Sequence, residues 1–369
     1  MAPTPDTETG AALPAVGAEE IDILRVENLD QLRDDWLRLG EKAGHPFASW
    51  EWNSLWWRHM GGERPLLAFA CRDREGETIA IAPLYAIKAG PFRIARFIGD
   101  GDLRSPVCAP EHRAVAIAAM RQAARAGGGF PSIVLTERLP GDQGWGDLIG
   151  GGFLATHPDP VVSLDGASWD QLLAARSRNF RQQVRRRERR LVEEHGLSFR
   201  LADDPARLEA DLDSLFRLHG ARWAGESSGV FEGVRGDFHR EFAAAAQRRG
   251  WLRLWLAEIE GEAVAAWYGW RFAGSEWYYQ AGRDPRFDDL SIGFVLLAHT
   301  VREACGDGVD AYRFLDGAES YKWRFADADL CAESRVFASG GWGRMGASAI
   351  AAAARLPGPA RRRVIRNMG

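Results

Sequence analysis

An internal repeat is the feature of this sequence that most constrains its fold. Residues 64–85 predict an apolar strand, a charged Glu-Gly-Glu turn around Gly76 and a second apolar strand, and residues 251–270 repeat this order around Gly261. A glycine in such a turn takes the positive φ that a tight hairpin needs. The two copies lie much further apart than the roughly 20–50 residues of a solenoid repeat, so a duplicated domain is expected.

The elements predicted after each hairpin also come in the same order: strand, helix, strand. They cover residues 93–98, 113–126 and 132–136 in the first half and residues 277–281, 293–305 and 312–315 in the second half. The predicted fold class is therefore α/β (α+β), with two tandem duplicated domains that each have a mixed sheet and flanking helices. Two unrelated α+β halves that share this order by chance are the alternative.

A chain of 369 residues is too long for one typical core, which favours two domains. The repeat places the first domain at residues 20–165 and the second at residues 166–340, with a helix over about residues 168–194 between them. Residues 1–19, rich in alanine, proline, threonine and acids, are expected to form a disordered tail. Residues 341–369 are alanine-rich and then basic, and they predict a terminal helix with a basic end.

The most informative motif follows the last predicted strand of the second half. The chain breaks at Gly317 and then carries an acid, a phenol and an amine within four residues, Glu319, Tyr321 and Lys322. With the strand and helix before it, this segment forms a predicted βαβ unit, and ligands of such units lie outside the carboxyl ends of the strands. The sequence therefore predicts a site between this turn and the helix start at Gly293.

Three segments carry a resemblance to a known family. They are the string Phe-Leu-Asp-Gly-x-Glu-x-Tyr-Lys-x-x-Phe from Phe314, the Ser291-Ile-Gly293 helix start and the basic Ser177-Arg-Asn-x-Arg181 segment. Together they resemble the GNAT acyltransferase superfamily and, within it, the CelD/BcsL-type acetyltransferases of cellulose and exopolysaccharide biosynthesis, which are related to Fem-type peptidyltransferases. The resemblance covers about residues 20–340. It implies duplicated acyl-CoA N-acyltransferase-like domains, of which the first is degenerate and the second holds the donor site.

The resemblance implies that acetyl-CoA or another acyl-CoA binds as co-substrate at this helix start, because a helix N-terminus has unpaired N–H groups and suits a pyrophosphate. The residues expected to contact the cofactor are Ala281, Gly282, Ser291, Ile292, Gly293 and Phe294. The superfamily's Arg/Gln-x-x-Gly-x-Gly/Ala pattern is met only at Gly293, since Asp288 and Ser291 hold its other fixed positions. Asp288 and Asp289 put negative charge near the expected phosphates, and an ordinary capped helix is the alternative.

Acyl transfer from a thioester needs a base for the acceptor, an oxyanion site and an acid for the departing thiolate. We expect Glu319 to act as the base and Tyr321 to protonate the thiolate, in a turn where the superfamily often has such a tyrosine. Lys322 is expected to hold a carboxylate or phosphate of the acceptor. The alternative is an i,i+3 ion pair of Glu319 and Lys322 on a helix surface, with Tyr321 packed beside it.

The basic helix offers candidate contacts for the acceptor. Arg178, Arg181 and Arg185 recur at a spacing of three to four residues and therefore share one face. Arginine binds phosphate through two parallel hydrogen bonds, so this face suits a nucleotide-sugar, lipid-linked or tRNA phosphate. A solvated face balanced by nearby glutamates is the alternative. Trp223 and Tyr279 are candidates for lining an acceptor cleft between the domains, or for filling the core of the second domain.

Composition excludes several classes of protein. A net charge of −4 gives no general attraction to nucleic acid or membrane. The four cysteines lack C-x-x-C spacing, so neither a disulfide framework nor a metal site is expected, and a reducing, cytoplasmic location is favoured. The sequence shows no signal peptide, no apolar run of about 18 residues, and no hydrolase elbow, Walker loop or zinc-protease motif.

The resemblance therefore leads us to expect an acyltransferase, and more narrowly an acetyl-CoA-dependent N- or O-acetyltransferase. The expected acceptor is a polysaccharide precursor, an amino sugar or an amino acid. The other expected partner is membrane-bound polysaccharide machinery, which the protein would contact peripherally. We expect no sequence-specific binding of nucleic acid and no transmembrane segment. Two alternatives stay open: a Fem-type aminoacyl-tRNA-dependent transferase, and a non-catalytic accessory protein of exopolysaccharide biosynthesis.

Overall fold

Two halves of similar build make up the part of the chain that the computed structural model describes, residues 21–125, 132–222 and 229–354. The strands in these ranges are β1 Asp22–Val26, β2 Ala68–Arg72, β3 Thr78–Ala82, β4 Leu84–Ala89, β5 Phe92–Phe97, β6 Val107–Cys108, β7 Ser132–Pro140, β8 Gly152–His157, β9 Pro160–Ser163, β10 Ser198–Leu201, β11 Leu252–Ile259, β12 Glu262–Phe272, β13 Ser275–Arg283, β14 Ala311–Arg313, β15 Ala328–Asp329 and β16 Ala332–Ala338. The α-helices are α1 Arg33–Gly40, α2 Trp50–Trp56, α3 Arg113–Arg125, α4 Trp145–Ile149, α5 Trp169–Ala174, α6 Arg178–His195, α7 Leu208–Arg222, α8 Val234–Arg248, α9 Ile292–Gly306 and α10 Gly340–Ala354.

The two halves have the same order of strand pairings, which confirms the duplicated fold predicted from the repeat. The hairpins β2–β3 and β11–β12 are both antiparallel, and their turns hold Gly76 and Gly261 at φ angles of 79° and 80°. Further along, β5 runs parallel to β7 in the first half, and β13 runs parallel to β14 in the second. In each half a helix, α3 or α9, connects the two parallel strands.

The halves differ in the continuity of their sheets. The second half has one seven-stranded sheet of order β10-β11-β12-β13-β14-β9-β15. The first half has two sheets, β1-β2-β3-β6 and β4-β5-β7-β16-β8, which divide at Pro83 between β3 and β4. Proline has no N–H to give to a ladder, so the chain turns from one sheet into the next here.

One strand of each half lies in a sheet of the other half. β9, from the first half of the chain, lies between β14 and β15, with Val162 opposite Tyr312. β16, from the second half, lies between β7 and β8, with Val336 opposite Leu135. The domain boundary predicted between residues 165 and 166 stays a prediction, and in the structure β9 and β16 each pair with strands on the other side of it. The order of elements along a chain does not show which sheet a terminal strand joins. The repeat alone therefore did not predict the exchange of β9 and β16 between the two halves.

The connection between the halves also differs from its prediction. The single helix expected over about residues 168–194 is two helices, α5 and α6. Ser177 starts the second helix, because its hydroxyl accepts a hydrogen bond from the Phe180 N–H at 3.2 Å. Ser168 caps the first helix in the same way, through Gln171.

The segment after β14 is the other local difference. The strand predicted to reach Leu315 ends at Arg313, and Leu315 has a left-handed backbone with φ of 57°. The helix start predicted after Gly317 is a single turn, Lys322–Arg324. A left-handed conformation is costly for leucine, so contacts around this segment must hold it in place.

An aromatic cluster joins the two halves. Trp52 of α2 lies edge-on to Phe238 and Phe242 of α8, with ring centroids 4.9 and 4.8 Å apart. It also lies 5.7 Å from Trp270 of β12, and both tryptophans are fully buried. Edge-to-face aromatic pairs stabilise a core beyond the area that they bury. The two halves therefore share one core across their junction.

Candidate active site

The sheet of the second half opens where β13 and β14 separate. The two strands pair only between Ser275–Trp277 and Ala311–Arg313, while β13 continues to Arg283. A cavity of about 360 Å³ lies beside the unpaired end of β13 and the N-terminus of α9. α/β proteins bind ligands at the carboxyl ends of strands, and this volume is in the range of small-molecule sites.

Residues of β12, β13, α7, α9 and the turn after β14 line this cavity. Among them are five of the residues predicted to contact a cofactor: Ala281, Gly282, Ser291, Gly293 and Phe294. The sixth, Ile292, is fully buried in the core and presents only its backbone near the cavity. The fold thus brings the predicted cofactor residues together around one opening.

The start of α9 has backbone N–H groups that have no partner within the helix. The amides of Ile292 and Gly293 are at the first two helical positions and have no carbonyl within the helix to pair with. The carbonyl of Ser291 accepts hydrogen bonds from the N–H groups of Phe294 and Val295 at 3.0 and 3.2 Å, and the Ser291 side chain makes no capping hydrogen bond. Such amides at the positive end of the helix dipole favour an anionic ligand.

Asp288 leaves no unmatched negative charge beside this helix start. Its two carboxylate oxygens accept hydrogen bonds from Nε and Nη2 of Arg283. Both residues line the cavity. Arg283 therefore offsets the negative charge of Asp288, which in the sequence alone argued against a bound phosphate.

Two arginines that the sequence analysis did not select lie against the same helix start. The guanidinium carbons of Arg187 and Arg324 are 5.2 and 4.6 Å from the ring centroid of Phe294. Arg324 also donates a hydrogen bond to Gln183 Oε1 at 2.7 Å, and burial together with the charge of Arg187 lowers its pKa. Over the residues that the structure describes, neither guanidinium pairs with a carboxylate. Two neighbouring cations without a counter-charge suit a multiply charged anion.

The sequence does contain a signal for Arg187. Phe180, Val184 and Leu191 form the buried stripe of α6, and Arg187 falls on this stripe at helical spacing. An arginine within an apolar stripe faces the body of the protein instead of solvent. Arg324 carries no comparable signal, because the three-residue turn that presents it has no periodicity to interpret.

Two tyrosines and one arginine form a polar cluster in the cavity lining. The hydroxyl oxygens of Tyr278 and Tyr321 are 3.3 Å apart. Arg222, the last residue of α7, donates from Nη1 to the Ala281 carbonyl at 3.2 Å and interacts with both hydroxyls. Burial raises the pKa of Tyr321 well above its ordinary value, and Tyr278 raises it further, so the hydroxyl stays protonated at neutral pH. The cluster places a proton donor beside a fixed positive charge.

Tyr279, the tyrosine selected from the sequence, lies on the other face of the sheet. Its ring centroid is 5.0 Å from that of Trp270, in the aromatic cluster between the halves, and it is not part of the cavity lining. A bulge interrupts the pairing of β12 with β13 beside Tyr278, and the alternation of side chains shifts there by one residue. Tyr278 is consequently the tyrosine at the site, and strand alternation in the sequence did not indicate it.

Glu319 and Lys322 form the ion pair that the sequence analysis kept as the alternative to catalysis. Lys322 Nζ lies 3.1 Å from Glu319 Oε2 and donates to the Asp316 carbonyl at 2.6 Å. The pair is not on a helix surface as expected, because the chain forms a turn here and Lys322 is only 4% exposed. A Cβ at Gly317 would come within 2.7 Å of Nζ, so the glycine makes room for the buried amine. Neither partner lines the cavity, and their contacts hold the turn that presents Tyr321.

The arginine face predicted on α6 does not reach the cavity. Arg178 and Arg185 are exposed to solvent. Arg181 donates to two backbone carbonyls at the end of α5, at 3.1 and 2.6 Å, and so closes the junction between α5 and α6. Trp223, the remaining predicted acceptor contact, lies outside the described residues.

Residues 21–125, 132–222 and 229–354 contain no group of three or more histidine, cysteine, aspartate or glutamate side chains placed to hold a metal ion. Every helix within the same ranges is too short or too polar to cross a bilayer.

This chain is similar to known proteins in part of its sequence and in its fold. Residues 178–323 match the family model of the acetyltransferase (GNAT) domain, and this range includes Arg222, Tyr278 and Tyr321. No curated protein matches the sequence. The crystal structure of FemX is similar with a TM-score of 0.57 and 12% identity, over 85% of this chain and 96% of that one.

Two further solved structures have a similar fold. L-PGS from Bacillus licheniformis has a TM-score of 0.54 and 14% identity, over 88% of this chain and 96% of its own. A conserved protein of unknown function from Bacteroides thetaiotaomicron has a TM-score of 0.51 and 12% identity, over 85% of this chain and 99% of its own. Identities this low show a likeness of fold alone. Over residues 178–323 the chain therefore matches a GNAT acetyltransferase domain, and as a whole it has the fold of FemX and L-PGS.

Proposed function

We propose that this protein transfers an acyl group from an acyl-CoA, in the simplest case acetyl-CoA, to an amine or hydroxyl of a small acceptor. The observation that carries the proposal is the cavity beside β13, whose lining includes both the open start of α9 and the cluster of Tyr278, Tyr321 and Arg222. The helix start suits the phosphates of the donor, and the cluster suits proton transfer to a leaving thiolate. The match to an acetyltransferase domain supports the same class of reaction.

The residues around the start of α9 fit the non-reacting part of an acyl-CoA. The amides of Ile292 and Gly293 would bind phosphate oxygens, with Arg187 and Arg324 adding two positive charges beside them. Among the described residues, the edge of β13 beyond Trp277 has no partner strand on the β14 side. Its backbone groups are available to an extended ligand that itself contains amides. When bound, acyl-CoA supplies the thioester.

The polar cluster provides the groups that the transfer needs. While the acceptor nitrogen or oxygen forms its bond to the thioester carbon, Arg222 stabilises the negative charge on the carbonyl oxygen. As the carbon–sulfur bond breaks, Tyr321 gives its proton to the thiolate. Tyr321 then regains a proton from the former nucleophile, so the products are the acylated acceptor and a free thiol. Tyr278 keeps the Tyr321 hydroxyl in position through their contact.

For the acceptor we propose a polysaccharide precursor, an amino sugar or an amino acid, on the strength of the sequence resemblance. Arg178 and Arg185, which are exposed and do not line the cavity, stay proposed contacts for a phosphate-bearing acceptor, as does Trp223. Glu319 and Lys322 act in this proposal as positioning residues for Tyr321. The cysteines Cys71, Cys108, Cys305 and Cys331 are free thiols, which is consistent with a reaction in the reducing cytoplasm.

Stabilisation by the ligand tests the donor. Acetyl-CoA at about 100-fold excess over its Kd should raise the free energy of unfolding by about 2.7 kcal/mol, which appears as a higher Tm. The double variant Arg187→Gln/Arg324→Gln should lose most of this shift, because it removes both cations. Arg185→Gln, an exposed arginine of the same helix, is the matched control and should keep the shift. A wild-type Tm that acetyl-CoA leaves unchanged up to millimolar concentration rules out acetyl-CoA as the donor.

A Fem-type aminoacyl-tRNA-dependent transferase is the second candidate. The two arginines without carboxylate partners and the basic character of α6 favour it, since both also suit a nucleic-acid phosphate. Gel-shift assays with aminoacylated and uncharged tRNA separate the candidates. Binding of aminoacylated tRNA that acetyl-CoA does not compete away supports the second candidate, and binding of neither ligand supports a non-catalytic accessory role.

A further inference from the structure

The C-terminal helix α10 is seated on the first half through small residues. Its inner face consists of Gly343, Gly346, Ala347 and Ala351, which are all buried. A Cβ at Gly346 would come within 2.7 Å of the Phe92 ring and 2.9 Å of Ile133, so only glycine lets the helix lie this close to the sheet. This close packing sets the orientation of α10 about its own axis, and therefore which of its side chains point away from the protein.

The outer face of α10 is apolar and uncovered. Trp342 is 73% exposed and Met345 is 60% exposed, more than any other large hydrophobic side chain in the described residues. They lie one turn apart, and Ala349 and Ala352 continue the same exposed face. Arg344 is the only charged residue of the helix. A helix that is apolar on all sides is normally buried on all sides, so something outside the described residues is expected to cover this face.

The sequence that follows α10 indicates what covers it. Residues 355–369 contain five arginines and no aspartate or glutamate. The whole chain has a net charge of −4, so the rest of the chain without this segment carries −4 − 5 = −9. In the sequence, this positive charge therefore follows directly after the helix that carries the exposed Trp342 and Met345. Aromatic and aliphatic side chains next to clustered arginine are the combination that binds the surface of an anionic bilayer.

We propose that the outer face of α10 docks this protein on an anionic membrane surface. Trp342 and Met345 enter the boundary between headgroups and acyl chains, where tryptophan is preferred. The five positive charges that follow α10 in the sequence favour a surface of anionic headgroups. A second copy of the chain is a poorer occupant, because pairing two α10 faces would bring two segments of charge +5 together.

The proposed docking face and the acyl-transfer cavity are built from different elements. α10 packs on β7, β8 and β16, which belong to the five-stranded sheet of the first half. The cavity lies beside β13 and α9 in the second half, and no residue of α10 lines it. The proposal is therefore independent of which donor the cavity binds.

Co-sedimentation with vesicles tests the proposal on the full-length protein. Vesicles of phosphatidylcholine mixed with phosphatidylglycerol should sediment the protein, whereas vesicles of phosphatidylcholine alone should not, and added salt should weaken the binding. Trp342→Ser/Met345→Ser should reduce the partition coefficient by at least about tenfold, because it removes the side chains that enter the bilayer. Arg361→Gln/Arg362→Gln/Arg363→Gln should abolish the dependence on phosphatidylglycerol.

Val234→Ser is the matched control, since Val234 is 48% exposed on α8 in the other half. It should bind anionic vesicles like the wild type. The variants at Trp342/Met345 and at Val234 should keep the wild-type Tm, because these side chains are exposed. Failure of the wild type to sediment with anionic vesicles would overturn the proposal. Equal binding by the Trp342→Ser/Met345→Ser variant, or a wild-type dimer in analytical ultracentrifugation that this variant abolishes, would overturn it as well.

Discussion

The hydroxyl oxygens of Tyr278 and Tyr321 lie 3.3 Å apart, although one residue belongs to β13 and the other to the turn after β14. Neither segment alone would bring the two hydroxyls together. The contact forms because β13 and β14 separate after three paired residues and leave space for both rings. The gap in the sheet therefore creates the cluster.

Tyr321→Phe tests the proposed proton donor. The change removes one hydroxyl and keeps the ring, so we expect kcat to fall by roughly 10²–10⁴ with little change in KM, because the proton moves only in the transition state. Steady-state kinetics with acetyl-CoA and an amino-sugar acceptor measure this. Tyr279→Phe is the control, since Tyr279 lies on the opposite face of the sheet, and it should keep wild-type kcat. A Tyr321→Phe variant as active as Tyr279→Phe would show that Tyr321 only packs.

Arg222→Gln tests stabilisation of the developing negative charge. Loss of a fixed cation at an oxyanion site lowers kcat on the order of 10²–10³-fold, and Arg222→Lys should restore part of the rate because it keeps the charge. KM for the donor should change little, since Arg222 interacts with the tyrosines and Ala281 and not with the start of α9. An effect confined to KM would instead identify Arg222 as a residue that binds the donor.

Lys322→Met tests the structural role of the buried amine. The variant leaves the Asp316 carbonyl without its donor and Glu319 without its partner, so the free energy of unfolding should fall by about 1–3 kcal/mol. Glu319→Gln should cost less than about 1 kcal/mol, because the Glu319 side chain is 46% exposed and water solvates it. Urea denaturation measures both values. A Lys322→Met variant that keeps the full free energy of unfolding but has no activity would instead indicate a catalytic role for Lys322.

His239→Phe tests the pH dependence of stability. His239 of α8 is 3% exposed, and burial, with Arg235 and His219 nearby, lowers its pKa from 6.5 to about 3. The folded state therefore binds this proton less readily than the unfolded state does, and stability is lost as the pH falls from 6.5 toward 3. Between pH 7 and pH 5 the wild type should lose about 2 kcal/mol through this residue, a loss that the phenylalanine variant avoids. Urea denaturation of both proteins at pH 7 and pH 5 measures this loss. If the wild type and the phenylalanine variant lose the same free energy of unfolding, His239 is not its source.

The sequence predicted the elements and their duplication because both depend on local patterns. Neighbouring residues predict the positive φ of Gly76 and Gly261 and the periodicity of the helix that begins near Gly293. The residues at the start of α9 could be placed for the same reason, since a helix N-terminus is a local feature.

Features that depend on distant partners could not be predicted in this way. The bulge beside Tyr278 depends on how β12 pairs with β13, so the choice between Tyr278 and Tyr279 needed the structure. Arg324 acquires its place against Phe294 from the packing of a short turn against two helices. Lys322 is buried, and its amine bonds back to the Asp316 carbonyl within a turn, an arrangement that helical periodicity does not predict.

The exchange of β9 and β16 has a consequence for biosynthesis. β7 and β8 both pair with β16 and not with each other, so the sheet that contains them is complete only after residues 332–338 have left the ribosome. Until then each of the two strands has an open edge, which is a template for pairing with another nascent chain. We therefore expect translation that stops between the two halves to yield an aggregation-prone fragment instead of a smaller folded protein.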